Sequence, residues 1–211
     1  MQRSTFNVQR STFRPILDGT NEPCRRAHNS PMLDAPERVV LETLDAAVWR
    51  ALRLGSLDAA VGRVRAELAR DASLKLAWEA VPLESFDARP APVRSAWIFV
   101  LRKGTSSGAE RHPNSIQRVM SYRGTGDLQL WNGTEWVSQP LTSGDAALER
   151  RWLSIPENVW HRPVIPGGAD WVVVSFHTAT DSALIEERPL DDENPDAGGT
   201  ARAVYAGRSG R

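Results

Sequence analysis

Glu110 and His112 stand two residues apart, Gln117 follows shortly after, and a second imidazole, His161, comes much later in the chain. On a strand, residues two apart point to the same face, so Glu110 and His112 would present a carboxylate and an imidazole side by side. Two histidines and one carboxylate meeting at one point form the facial arrangement that holds a non-haem divalent metal with open coordination positions. Gln117 would add a neutral amide oxygen as a fourth ligand, and Glu110 the negative charge that a dication needs. A frame that starts instead from His112 and Asn114 loses the carboxylate and is the poorer cation site. The bland reading of Arg111-His112-Pro113-Asn114 is a polar surface turn, so the inference rests on the set rather than on one histidine.

Two further side chains are catalytic candidates. Tyr122 alternates with Met120 and Arg118, and a phenol facing a lumen could donate a proton or orient a substrate oxygen. His177 alternates with Trp171, Val173 and Ser175 and would face either the lumen or the outside. Arg102, Arg118 and Arg162 lie on strands near these residues; one pointing inward would favour an anionic substrate.

The elements that must position this set are short β-type runs: Trp97–Arg102, Gln117–Tyr122, Leu128–Trp131, Glu135–Val137, Arg151–Ile155, Val159–Val164 and Trp171–His177. So many short strands in so little chain imply a barrel or sandwich, mainly antiparallel. Asn132-Gly133 reads as a two-residue hairpin turn and Pro166-Gly167-Gly168-Ala169 as another reversal. Six of the eight tryptophans lie in this half and would wall a filled or a pocketed barrel.

Ahead of the strands, Asp34, Pro36 and Glu37 signal a helix start, and Val40, Leu44, Val48 and Leu52 give it one apolar stripe. Gly55 ends this helix, and Ser56 is placed to cap a second one with Leu57, Val61, Val64 and Leu68 on one side. Neither stripe can be buried by the hairpin alone, so the pair is expected to cover the barrel or a subunit interface. Leu74–Trp78 suits either a strand or a helix extension.

Spacing around these residues resembles the cupin superfamily. The first cupin motif runs Gly, five residues, His, one, His, three or four, Glu, six, Gly; here Gly104, Glu110, His112, Gln117 and Gly124 occupy those places, with Glu for the first His and Gln for Glu. The second motif, Pro, one, Gly, two, His, three, Asn, is met by Pro156, Asn158 and His161, with Ile165 at the last place. Asn158 suits a glycine position because Asn tolerates positive φ. The likeness covers roughly residues 90–188 and implies one antiparallel cupin β-barrel (a jelly roll), here preceded by the helical hairpin. It implies one divalent metal, Fe2+ first and Zn2+, Ni2+, Mn2+ or Co2+ as alternatives, and chemistry on a small molecule. Cupins include dioxygenases, isomerases, epimerases, lyases and decarboxylases, so fold alone does not choose. Open positions on iron favour an oxygenase; an isomerase or lyase using the metal as Lewis acid, or a non-enzymatic small-molecule binder, is the alternative.

The expected organisation is therefore an N-terminal arm over 1–34, a hairpin over 35–80, a barrel over 81–188 and a polar tail over 189–211. The arm repeats Gln-Arg-Ser-Thr-Phe at 2–6 and 9–13. Its Arg- and Ser-rich start loosely resembles a transit peptide but lacks the apolar segment of a secretory signal. Equal numbers of basic and acidic residues, 26 each, argue against a nucleic-acid partner. A single cysteine, Cys24, closes no intrachain disulfide and points to a cytoplasmic protein. No apolar run approaches the roughly 20 residues that span a bilayer. Exposed strand edges and the tryptophan content suggest a homodimer.

Overall fold

The Asp34 carboxylate accepts the Glu37 amide at 2.8 Å, and with Pro36 in the first turn this starts helix α1, Ala35–Arg53. Gly55, at φ 75°, reverses the chain into α2, Ser56–Arg70. Ser56 is not the cap expected: its hydroxyl turns back to the Ala51 carbonyl and Gly55 holds the capping position. Leu41, Leu44, Ala47, Val48 and Ala51 of α1 and Leu57, Ala60, Val61, Val64 and Leu68 of α2 are buried, while Val40 and Leu52 sit at the stripe's edge. A computed structural model provides these coordinates and describes residues 34–87, 89, 90 and 92–204. The expected arm over 1–34 lies outside the described residues except for Asp34.

Eleven strands follow among the described residues: β1 Leu76–Ala80, β2 Ser95–Leu101, β3 Gln117–Arg123, β4 Thr125–Trp131, β5 Trp136–Val137, β6 Pro140–Thr142, β7 Trp152–Ile155, β8 His161–Val164, β9 Trp171–His177, β10 Ile185–Pro189 and β11 Thr200–Val204. All their pairings are antiparallel. One sheet runs β1-β2-β9-β3-β7; in the other, β4 pairs with β5, β6 and β8; β10 and β11 form a separate ribbon. The fold class is the one expected, mainly β and antiparallel with an N-terminal helix pair. The strands do not close into one continuous barrel: among the described residues no ladder joins the two sheets, and isolated bridges tie the chain between β2 and β3 to β8 and β10 instead.

The parity of the five-stranded sheet decides what faces where. In β9, Val172, Val174 and Phe176 lie under the helices, whereas Trp171 and Val173 join Leu101, Val119, Leu128 and Leu141 in the core between the sheets. Both faces are covered, which is why β9 is buried at every residue and opens with the apolar run 171–174. Residues 76–80, left open by the sequence and grouped with the hairpin, are an edge strand of this sheet.

Three carboxylates fasten the hairpin to the sheet's outer face. Glu37 accepts two bonds from Arg118 at 2.7 and 2.9 Å, Asp45 accepts from Arg151 and the Trp152 indole, and Asp58 accepts from the Tyr122 phenol and Arg123, both at 2.7 Å. The hairpin is thus a cover built onto the sheet.

The turn between β4 and β5 holds four residues, not two. Trp131 pairs with Trp136, and the Asn132 side chain accepts the Thr134 and Glu135 amides at 2.9 Å, building an Asx turn in which Gly133 takes positive φ, 95°. The expected polar tail from 189 is also corrected. Its described part, to residue 204, folds back as β11, and Asp196 accepts the Trp131 and Trp160 indoles at 2.7 and 3.1 Å while the Asp192 carbonyl accepts that of Trp136. Few apolar residues mark this stretch, because hydrogen bonds to tryptophan edges hold it.

Leu57, fully buried between α2 and the sheet, gives a direct measure of the hairpin's contribution. Leu57→Ala is expected to destabilise the chain by about 2–5 kcal/mol, read as a lower urea midpoint; an unchanged midpoint would show that the hairpin is not coupled to the sheets.

Candidate metal centre

The segment that carries Glu110 and His112 is irregular chain held by single bridges, not the strand expected. Glu110 and His161 exchange both backbone hydrogen bonds at 2.9 Å, and the next residue, Arg111, does the same with Glu187 of β10 at 3.0 Å. Residues paired in this way present their side chains on one face. Glu110 therefore meets His161 across the bridge, and His112 joins them. The three ligand atoms lie within 4.8 Å of one another, and the two imidazole rings are 5.4 Å apart.

Local geometry explains the motif residues around them. Asn158 has φ 63°, and its amide donates to the His112 carbonyl at 3.1 Å, which ties the second motif to the first. Gly124 has φ 88°, and a Cβ there would come within 3.1 Å of the Asp170 carbonyl oxygen. At Gly126 a Cβ would collide with the Trp171 ring, which forms part of the cavity wall. Both motifs meet in order inside an antiparallel two-sheet fold. The two stretches that resemble the cupin motifs are thus adjacent in space.

The donor set fits a divalent transition ion. His112 Nδ1 lies 3.0 Å from the Ile185 carbonyl and His161 Nδ1 3.1 Å from the Val159 carbonyl. A carbonyl only accepts, so each Nδ1 carries the proton and each Nε2 keeps its lone pair for the site. The His161 Nε2 is buried and has no hydrogen-bond partner in the chain. Burial holds His112 down at about 4, so the ring is neutral near pH 7. Burial pushes Glu110 up, but the close approach of His161 and the charge of Arg188 outweigh it and hold the carboxyl at about 2. The carboxylate is thus ionised, with one oxygen on Arg188 at 2.8 Å and the other 3.5 Å from His161 Nε2.

The other sequence-derived candidates separate. Gln117 lines the same cavity; its amide donates to Ser175 Oγ at 3.1 Å, and its Oε1 is buried without a partner. His177 pairs across the sheet with Gln117, faces inward 5.1 Å from the His112 ring, and shares Ser175 through Nε2 at 3.0 Å. Burial holds its ring well below the ordinary histidine range, so it is a neutral neighbour of the cluster. Tyr122 is not in the site. It lies on the helix side of β3, bonded to Asp58, and burial followed by that carboxylate raises its phenol well above the ordinary range. Of the arginines, Arg102 donates to carbonyls at the end of α2, Arg118 is paired with Glu37, and Arg162 donates to Gln129 and Glu193. None supplies the inward cation that was considered.

Sequence reasoning missed Glu186 and Arg188 of β10. Both line the cavity, with Arg188 bonded to Glu186 at 2.5 Å and to Glu110. Burial, then the Glu110 charge, raises the Glu186 carboxyl to about 7. The available signal was their two-residue spacing on a strand, obscured by the charged run that surrounds them.

No family model and no curated protein matches this chain. Among solved structures it is similar to KdgF from Halomonas sp., with 16% identity and a TM-score of 0.38 over 53% of this chain and 87% of that one. It is similar to oxalate oxidase in complex with glycolate at 14% identity and a TM-score of 0.40, over 62% of this chain and 57% of that one. A protein with a double-stranded β-helix domain from Klebsiella pneumoniae gives 14% and 0.39, over 64% of this chain and 89% of that one. These likenesses are distant, and the reading of the site rests on its own geometry.

Two outcomes follow from that geometry. Alanine at Glu110, His112 or His161 should abolish stoichiometric binding of Zn2+ or Fe2+ by metal analysis, whereas Gln117→Ala should weaken it no more than about 10–100-fold; full binding by a His161→Ala chain would refute the cluster. The second concerns pH. Because the Glu186 pKa is raised on folding, the native metal-free chain holds that proton more tightly, and the group's contribution is lost as pH climbs from about 4.5 through 7. That loss is on the order of 3 kcal/mol. Urea midpoints over pH 5–8 should fall less steeply in Glu186→Gln; parallel curves for the two chains would contradict it.

Proposed function

We propose that this chain is a metal-dependent cupin enzyme that acts on a small organic molecule, with a non-haem iron oxygenase as the first assignment. The observation that carries this reading is the convergence of Glu110, His112 and His161, of which Glu110 and His161 line a cavity of about 490 Å³. When bound there, Fe2+ would offer open positions to O2 and an organic donor, and any of the candidate dications would act as a Lewis acid. The chain's own part is to hold the two imidazoles by hydrogen bonds at Nδ1, to keep Glu110 ionised, and to aim that carboxylate through Arg188.

Glu186 favours a second reading, a non-oxidative isomerase or lyase. A buried carboxyl poised near neutrality on the cavity wall is able to give or take a proton at physiological pH. One experiment separates the two. Purified chain reconstituted with Fe2+ under anaerobic conditions is exposed to air-saturated buffer and a library of small organic compounds, with O2 uptake and product formation both followed. Substrate-dependent O2 consumption that disappears in His161→Ala is the expected result. Turnover without O2 consumption that is lost in Glu186→Gln would transfer the assignment to the second reading, and binding without turnover would leave a non-enzymatic binder.

A further inference from the structure

The cavity beside the metal ligands has two unlike halves. One is polar, with Glu110, Gln117, His161, Glu186 and Arg188. The other is a continuous apolar wall that includes Leu76 and Trp78 of β1, Phe99 and Leu101 of β2, Leu128 of β4 and Pro163 of β8. Within it Trp78 lies parallel to Trp97, with ring centroids 4.8 Å apart and planes at 12°, and Phe99 stands 6.4 Å from Trp78. Trp78 and Phe99, tilted 36° to each other, give the cavity wall its aromatic part, with Trp97 stacked on Trp78. A cavity of about 150 Å³ suffices for one benzene ring, so about 490 Å³ accommodates two fused rings with a substituent.

Charge narrows the occupant further. Arg188 is the sole cationic side chain among the lining residues, and its three guanidinium nitrogens are all engaged, by Glu186, by Glu110 and by the Ser107 carbonyl at 3.1 Å. In the metal-free chain a polyanionic substrate would thus meet the Glu110 carboxylate and the Glu186 carboxyl, with each nitrogen of Arg188 already bonded within the protein, at a high desolvation cost. The Gln117 Oε1, buried and without a partner in the chain, offers an acceptor to a hydroxyl or amine donor.

We infer that the substrate is an uncharged, flat, mainly apolar molecule of about two rings, whose polar end points at Glu110, Gln117 and His161 while its rings lie against Trp78 and Phe99. This rests on the metal-dependent reading for the direction of the polar end, but the apolar wall stands without it. The test uses the full chain in metal-free and Zn2+-loaded forms, with 2-naphthol and succinate as probes in calorimetric titrations and metal content measured separately. In the metal-free form, where no ion can chelate succinate, 2-naphthol should bind at least tenfold more tightly. Phe99→Ala should weaken 2-naphthol by about tenfold with metal content unchanged, and Trp78→Leu should act in the same direction should the first variant fold poorly. Equal or tighter binding of succinate by the metal-free chain, or 2-naphthol affinity unchanged in both variants, overturns the inference. A chain that binds 2-naphthol but no metal keeps this inference and removes the metal reading; one that takes up a stoichiometric ion yet prefers succinate when metal-free does the reverse.

Discussion

Two backbone hydrogen bonds between Glu110 and His161 are the contact on which the site depends. Neither residue's neighbourhood is a long ladder on the first motif's side, so the exchange of N–H and C=O between this one pair sets both side chains on a common face. The adjoining exchange between Arg111 and Glu187 brings β10 alongside, and with it Glu186 and Arg188. Three stretches remote in sequence are thereby joined within two consecutive residues. The hydrogen bonds from the histidine Nδ1 atoms to Ile185 and Val159 then determine which nitrogen each ring offers.

The five-stranded sheet makes this possible by being buried on both sides. Its inner face carries Gln117, Ser175 and His177 toward the site, and its outer face is sealed by the helical hairpin. Arg118 is almost wholly buried on that outer face, so its pairing with Glu37 offsets a large desolvation cost and fixes where α1 begins on the sheet. The helices therefore serve the site indirectly, by covering the outer face of the sheet that floors it.

Electrostatics in the cavity follow from one guanidinium shared by two carboxyl groups. Arg188 favours the ionised form of Glu110, while Glu186, buried and repelled by that charge, is driven toward neutrality. Two acids of one type thus take different protonation states near pH 7, an arrangement that suits one to hold a cation and the other to move a proton. The aromatic wall across from them keeps this polar cluster at one end of the cavity.

Much of this was legible in short-range pattern. The Asp34 cap, the apolar stripes of α1 and α2, most strand positions, the positive φ of Asn158 and the set Glu110, His112 and His161 all follow from spacing and local steric preference, which depend on near neighbours alone. Parity also held information that went unused: Gln117 and Tyr122 are five apart on one strand, so they could not both face the lumen, and Tyr122 is the one turned to the helices. Tertiary structure alone decided that His177 faces inward, that residues 189–204 fold back onto three tryptophan edges, and that Glu186 and Arg188 enter the cavity. Those outcomes depend on which distant strands exchange hydrogen bonds and on how deeply a charge is buried, and neither quantity is carried by the order of residues within a single strand.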